Sequence, residues 1–193
     1  DNYPNSLLGS IALIRQTFYD SQWYNDAWSI FNKYPELNIM PDIDDALSVI
    51  SKEMENNTPF FFHINNEKQI ERVANLVKEF SLNSWMLGTG YEYRNINLFN
   101  EFKPFVILPL KLPGKPDVET KSSALNVDLR ELKHWDQSPY NPIIMKNNNI
   151  EFSITTHQVA KGDFKNNLNE VIKYGLKSRD ALAALTTIPA KEL

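Results

Sequence analysis

The residues of this chain whose chemistry reaches beyond packing are few. His63 closes the apolar run PFFFHI just ahead of a helical pattern, Glu92 follows GTGY after SWML, and His157 follows IEFSITT. An imidazole can ligate a metal, carry a proton or hold a hydrogen bond, and a carboxylate placed after a strand can serve as general acid or base. Each also has a structural reading: a lone strand-end histidine more often hydrogen-bonds in place, and a loop carboxylate is more often solvated or salt-bridged. His134, beside Trp135, is expected on an exposed helix, which leaves His157 as the better candidate of the two. A catalytic zinc takes about three protein ligands and keeps one position open for water. His63 and His157 supply two, with Glu92, Asp136 and Asp163 as carboxylates that could be recruited.

Other chemistries are poorly supported. GTGYE departs from the G-x-G-x-x-G phosphate fingerprint at Tyr93, and no Walker lysine follows; its glycines read as a tight turn. The H-x-H, H-E-x-x-H and G-x-S-x-G patterns are absent, and with them the usual zinc-protease and serine-hydrolase signatures. There is no cysteine, which excludes disulfides, thiolate zinc sites and cysteine nucleophiles and leaves the compartment open. A formal charge of -4 with interspersed acids and bases gives no basic footprint, so nucleic acid is not an expected partner. No apolar run approaches the roughly 20 residues that span a bilayer, no signal-peptide pattern opens the chain, and no membrane partner is expected.

The elements that must position these residues follow from periodicity. Ile43, Ala46, Leu47, Ile50 and Met54 recur at helical spacing with Asp42 as a cap, predicting a helix over 43–55. Ile70, Val73, Ala74, Val77 and Phe80 predict another over 67–80, with Asn66 at its cap and Gln69 three places on. Nearly continuous apolar runs predict strands at 59–64, 84–88, 104–110 and 150–156. A helix around Phe164, Leu168, Val171 and Ile172 closes at Gly175, and KNNN (146–149) reads as a turn. Strands alternating with helices argue for an α/β fold: a parallel sheet in the given strand order, with helices 43–55 and 67–80 on one outer face, making part of a (β/α)8, TIM-like barrel. Residues 111–141 are too long for an ordinary connection. They are expected to hold a helix near 127–135 and to lie over the carboxyl ends of the strands, where barrel enzymes keep their sites.

The first thirty-odd residues form one long helical pattern bearing Phe18, Tyr19, Trp23, Tyr24, Trp28 and Phe31. Core packing is the plainer reading of so much aromatic surface, and an interface the sharper one. With Asp1 at its start and a new helix opening at TTIPAKEL, the chain reads as a single domain fragment, 1–193, of something longer.

Four segments carry a family resemblance: YPNSLLGSIALIRQTFYD (3–20), PFFFHINNEKQIERVANLVKEF (59–80), SPYNPIIMKNNNIEFSITT (138–156) and GLKSRDALAALTTIPAKEL (175–193). They resemble the later half of amidohydrolase-superfamily proteins related to imidazolonepropionase. The resemblance implies a (β/α)8 barrel with a divalent metal, zinc or another, held by an H-x-H on the first strand, a lysine or glutamate on the fourth, histidines on the fifth and sixth, and an aspartate on the eighth. It also implies metal-dependent hydrolysis of C–N bonds in cyclic or peptide-like amides by the intact parent. His63 matches the fifth-strand histidine. The sixth strand ends in LGTGYE without its histidine, and the eighth in ITTHQ without its aspartate. By resemblance, then, this piece is expected to hold no metal and to be inactive alone. A degenerate module that docks on the remainder of its parent, or on itself, is the other reading.

Overall fold

The computed structural model describes residues 4–193, which pack as two compact units: residues 4–59 with Glu79–Asn83, and Phe60–Lys78 with Ser84–Leu193. The first unit is built on α1 (Leu7–Lys33) and α2 (Asp45–Glu55). Ser6 starts α1 by accepting from the Gly9 amide, and Asp44, not Asp42, caps α2 by accepting from Leu47. The two helices pack on each other. The aromatic run on α1 divides by face: Phe18 and Tyr24 are buried, whereas Tyr19 and Trp23 are exposed. Phe18 meets Phe80 at 5.1 Å between ring centroids, and Glu79 takes both the Arg15 guanidinium and the Tyr19 hydroxyl.

The second unit alternates strand and helix: β1 (Phe60–His63), α3 (Glu67–Phe80, whose last two residues count with the first unit), β2 (Ser84–Leu87), α4 (Ile96–Phe102) and β3 (Phe105–Pro109). After β3 come α5 (Lys121–Asn126), α6 (Leu129–Gln137), α7 (Asn141–Asn147), β4 (Phe152–Thr155), α8 (Asp163–Lys173), α9 (Ser178–Leu185) and α10 (Thr187–Glu192). The sheet is parallel throughout, in the order β1-β2-β3-β4. This is the α/β, partial TIM-like barrel architecture that the apolar runs predict. At α3, Asn66 accepts from the Lys68 and Gln69 amides while Gln69 reaches back to the Asn65 amide, satisfying donors the helix start leaves open. Gly175 follows α8 at φ +112°, a left-handed position that favours glycine.

Register sorts the strands into two faces. Met86, Val106, Leu108, Phe152 and Ile154 share one face and are all buried, as are Ile70, Val73, Ala74 and Val77 of α3. The other face carries Phe61, Trp85 and Phe105 in one row and His63, Leu87, Ile107 and Ser153 in the next. It is less well covered: Phe61 is 55% exposed, and Ile107 is half-buried.

Candidate functional site

A cleft of about 330 Å³ opens at the carboxyl ends of β1, β2 and β3. His63 ends β1 and is placed by its pairing opposite Leu87. His157, two residues past β4, extends toward it, and the two rings meet edge to face with centroids 6.1 Å apart. The long excursion contributes Lys111, Leu112 and Pro113 from its start and His134 from α6, so it borders the strand ends as its length and position suggest. All three histidines of the sequence therefore line one cleft.

His134 departs from expectation. It is buried, not on an exposed helix face, and its ring stacks on Tyr91 at 3.7 Å and 16°. The Tyr93 hydroxyl lies 3.3 Å from His134 Nδ1 and accepts from Arg94 Nε, which leaves its own proton for the imidazole nitrogen. Burial, with the Arg94 guanidinium adding to it, pushes the His134 imidazole down to about 4, so the ring is neutral near pH 7. The Arg94 guanidinium also lies over the Tyr91 ring, 4.9 Å from its centroid. Glu67, at the start of α3, takes both Arg94 (3.0 Å) and Arg130 of α6 (2.8 Å), fastening α6 beside the cleft. Sequence reasoning missed His134 because its partners, Tyr91 and Tyr93, lie some forty residues away; only the Tyr-x-Tyr spacing after β2 hinted at a stacking wall.

Glu92 is fully buried, neither solvated nor salt-bridged. Its carboxylate accepts from the Thr89 amide and hydroxyl, from the Gly90 amide at 3.1 Å, and from Asn141 Nδ2 at 2.6 Å. The loop after β2 thus folds around its own glutamate. Gly88 is the residue that allows this: a Cβ there would sit 3.0 Å from Glu92 Oε1 and 3.3 Å from Leu108 Cδ1. Gly90, at φ +86°, turns the chain above it. Asp136 belongs to the far end of α6, where it accepts from Gln137, and Asp163 begins α8; neither lines the cleft.

A divalent metal does not fit these residues. His63 and His157 offer two imidazoles, no carboxylate lines the cleft, and Lys111 contributes a cation instead. Among the described residues, no three histidine, aspartate or glutamate side chains gather as a metal would require.

No protein-family pattern and no curated protein matches this chain. Its fold is similar to that in the crystal structure of an amidohydrolase from Thermotoga maritima MSB8, with a TM-score of 0.69 and 18% identity over 97% of this chain. The chain spans 45% of that protein's length. At this identity the likeness is one of fold, and it gives the architecture its description: a parallel, partial barrel of amidohydrolase-like fold.

Proposed function

We propose that this chain is the later half of an amidohydrolase-related barrel, akin to the imidazolonepropionase branch, in which the strand-end cleft has become a binding and structural module. The observation that carries this reading is the fate of the donors. His63 faces His157 with no carboxylate beside them, while Glu92 is spent on the Thr89, Gly90 and Asn141 donors of its own loop. In this reading Glu92 is a brace for the rim, not an acid or base facing substrate, because its lone pairs are already occupied. The half-buried Tyr91 ring and the neutral His134 ring form one wall, His63 and His157 another, and Lys111 supplies the fixed charge. Hydrolysis of a cyclic amide, the chemistry implied for the family, would then need metal donors supplied by the first half of a barrel.

Elemental analysis after dialysis against zinc, paired with a hydrolysis assay on cyclic amides, tests this. We expect far less than one zinc per chain and no turnover above buffer. About one zinc per chain, lost on His63→Ala, would overturn the reading.

A further inference from the structure

Resting on the reading of the strand-end cleft as a binding site, we infer that its ligand is a small organic monocarboxylate, its anionic head held at the rim and an apolar, ring-sized body held below. The sign of the charge is the first argument. The chain carries a formal charge of -4, yet Lys111 alone among the cleft-lining residues bears a fixed charge, and none of them is an acid. Two acids on neighbouring segments are already engaged, Glu92 with its own loop and Asn141, and Glu67 with Arg94 and Arg130. A cleft lined by one sign of charge concentrates ions of the other.

The unsatisfied side chains point the same way. Lys111, His63, His157, Asn65 and Gln158 line the cleft, and their side chains have no hydrogen-bond or ion-pair partner among the described residues. An ammonium only donates, an imidazole keeps at least one N–H, and each amide brings two donors; a carboxylate only accepts, at two oxygens. One such head balances the one charge of Lys111. Beneath it Ile64 and Leu87, 4% and 8% exposed, join Pro109 and Leu112 in an apolar floor. The volume of about 330 Å³ lies at the small end of the range of about 300–1,000 Å³ for ligand pockets, which suits a single ring.

These donors also leave from fixed backbone. Just before Lys111, the carbonyl of buried Leu110 accepts from Asn167 Nδ2 of α8 at 2.7 Å, and the Lys111 carbonyl lies 3.9 Å from where a Cβ on Gly90 would stand. His63 belongs to the last ladder pair of β1. After β4, the His157 amide donates to Thr155 Oγ1 at 3.2 Å, and Gln158 takes φ +56° in a turn closed by the Val159 amide on the Thr156 carbonyl. A side-chain-bearing residue adopts that left-handed conformation at a cost. Donors placed before the ligand arrives spare it part of the ordering entropy of binding.

Titration of phenylacetate into the isotope-labelled chain, followed by NMR shifts in buffer containing EDTA, tests the assignment. We expect saturable shifts at His63, Lys111 and His157 with a Kd of about 1 mM, ordinary for a probe of about ten non-hydrogen atoms. Phenylacetamide, of the same shape without the charge, and acetate, charged without the ring, should each bind at least roughly tenfold more weakly. Lys111→Met should cost about the same factor, while Lys115→Met, in the same segment but outside the cleft, leaves the affinity unchanged. Both lysines are exposed, and the phenylacetamide comparison needs no variant. Equal affinities for phenylacetate and phenylacetamide, indifference to Lys111→Met, or tighter binding of inorganic phosphate each overturn the proposal. Binding that appears only without EDTA, with about one zinc per chain, overturns the metal-free reading of the cleft and this proposal with it. A zinc-free chain that gives no saturable shift overturns this proposal alone.

Discussion

Asn141 is the most informative residue to change, because its side chain joins two segments through both of its polar atoms. Nδ2 donates to Glu92 at 2.6 Å, and Oδ1 accepts from the Tyr93 amide at 2.8 Å, in a position only 2% exposed. Asn141→Ala removes one hydrogen bond to a buried charge, worth about 1.5–3 kcal/mol, and leaves a backbone donor unmet, at about 1–3 kcal/mol. Partial relaxation of the loop would recover some of this, so the expected loss is about 2–5 kcal/mol. With a urea dependence of about 2 kcal/mol per molar for a chain of this size, the unfolding midpoint should fall by roughly 1–2.5 M. Asn141→Asp should cost at least as much, since it sets a second carboxylate against Glu92. Urea unfolding followed by far-UV circular dichroism measures both. A loss below about 1 kcal/mol for Asn141→Ala would mean that Glu92 is held by the loop amides alone, and the bracing argument would fail.

Two further outcomes follow from the same region. The His134 imidazole sits near 4 when folded, against about 6.5 for a free histidine. Between these values the unfolded chain binds the proton first, so the stability held by the neutral ring is full above pH 6.5 and drains away as pH falls toward 4. His134→Phe keeps a stacking ring without a titrating nitrogen, and its urea midpoint should fall less than that of the wild type from pH 7 to pH 4; equal slopes would refute the assignment. Gly88→Ala drives a methyl against Glu92 and Leu108, at an expected cost of about 1–3 kcal/mol for overpacking. A neutral result in thermal melts would show that the loop can retreat.

Much of the frame was legible because it rests on periodicity. The apolar runs placed the four strands to within two residues at each end, and the 70, 73, 74, 77 spacing placed α3 at its observed bounds. The failures are of another kind. At α2 the cap fell two residues late, on Asp44, because either aspartate could accept and only the packed helix start decides. α4, α5, α7 and α9 went unread; α4 and α7 are seven residues long and α5 six, so each offers too few turns for an amphipathic signal. Within the cleft, His63 and His157 were legible from their places after strands. His134 and the internal role of Glu92 were not, since both are decided by partners distant in sequence: Tyr93 lies 41 residues from His134, and Asn141 lies 49 from Glu92.

The self-contained wiring of Glu92 bears on how such a cleft can change over generations. Its carboxylate is satisfied by Thr89, Gly90 and Asn141, so the rim takes its shape when the chain folds and asks nothing of a bound guest. His63 and His157, by contrast, stand exposed, where substitutions usually cost within about 0.5 kcal/mol. A change at the mouth therefore costs the fold little, whereas one at the brace is felt throughout its loop, so the rim keeps its outline whatever residues stand at the mouth.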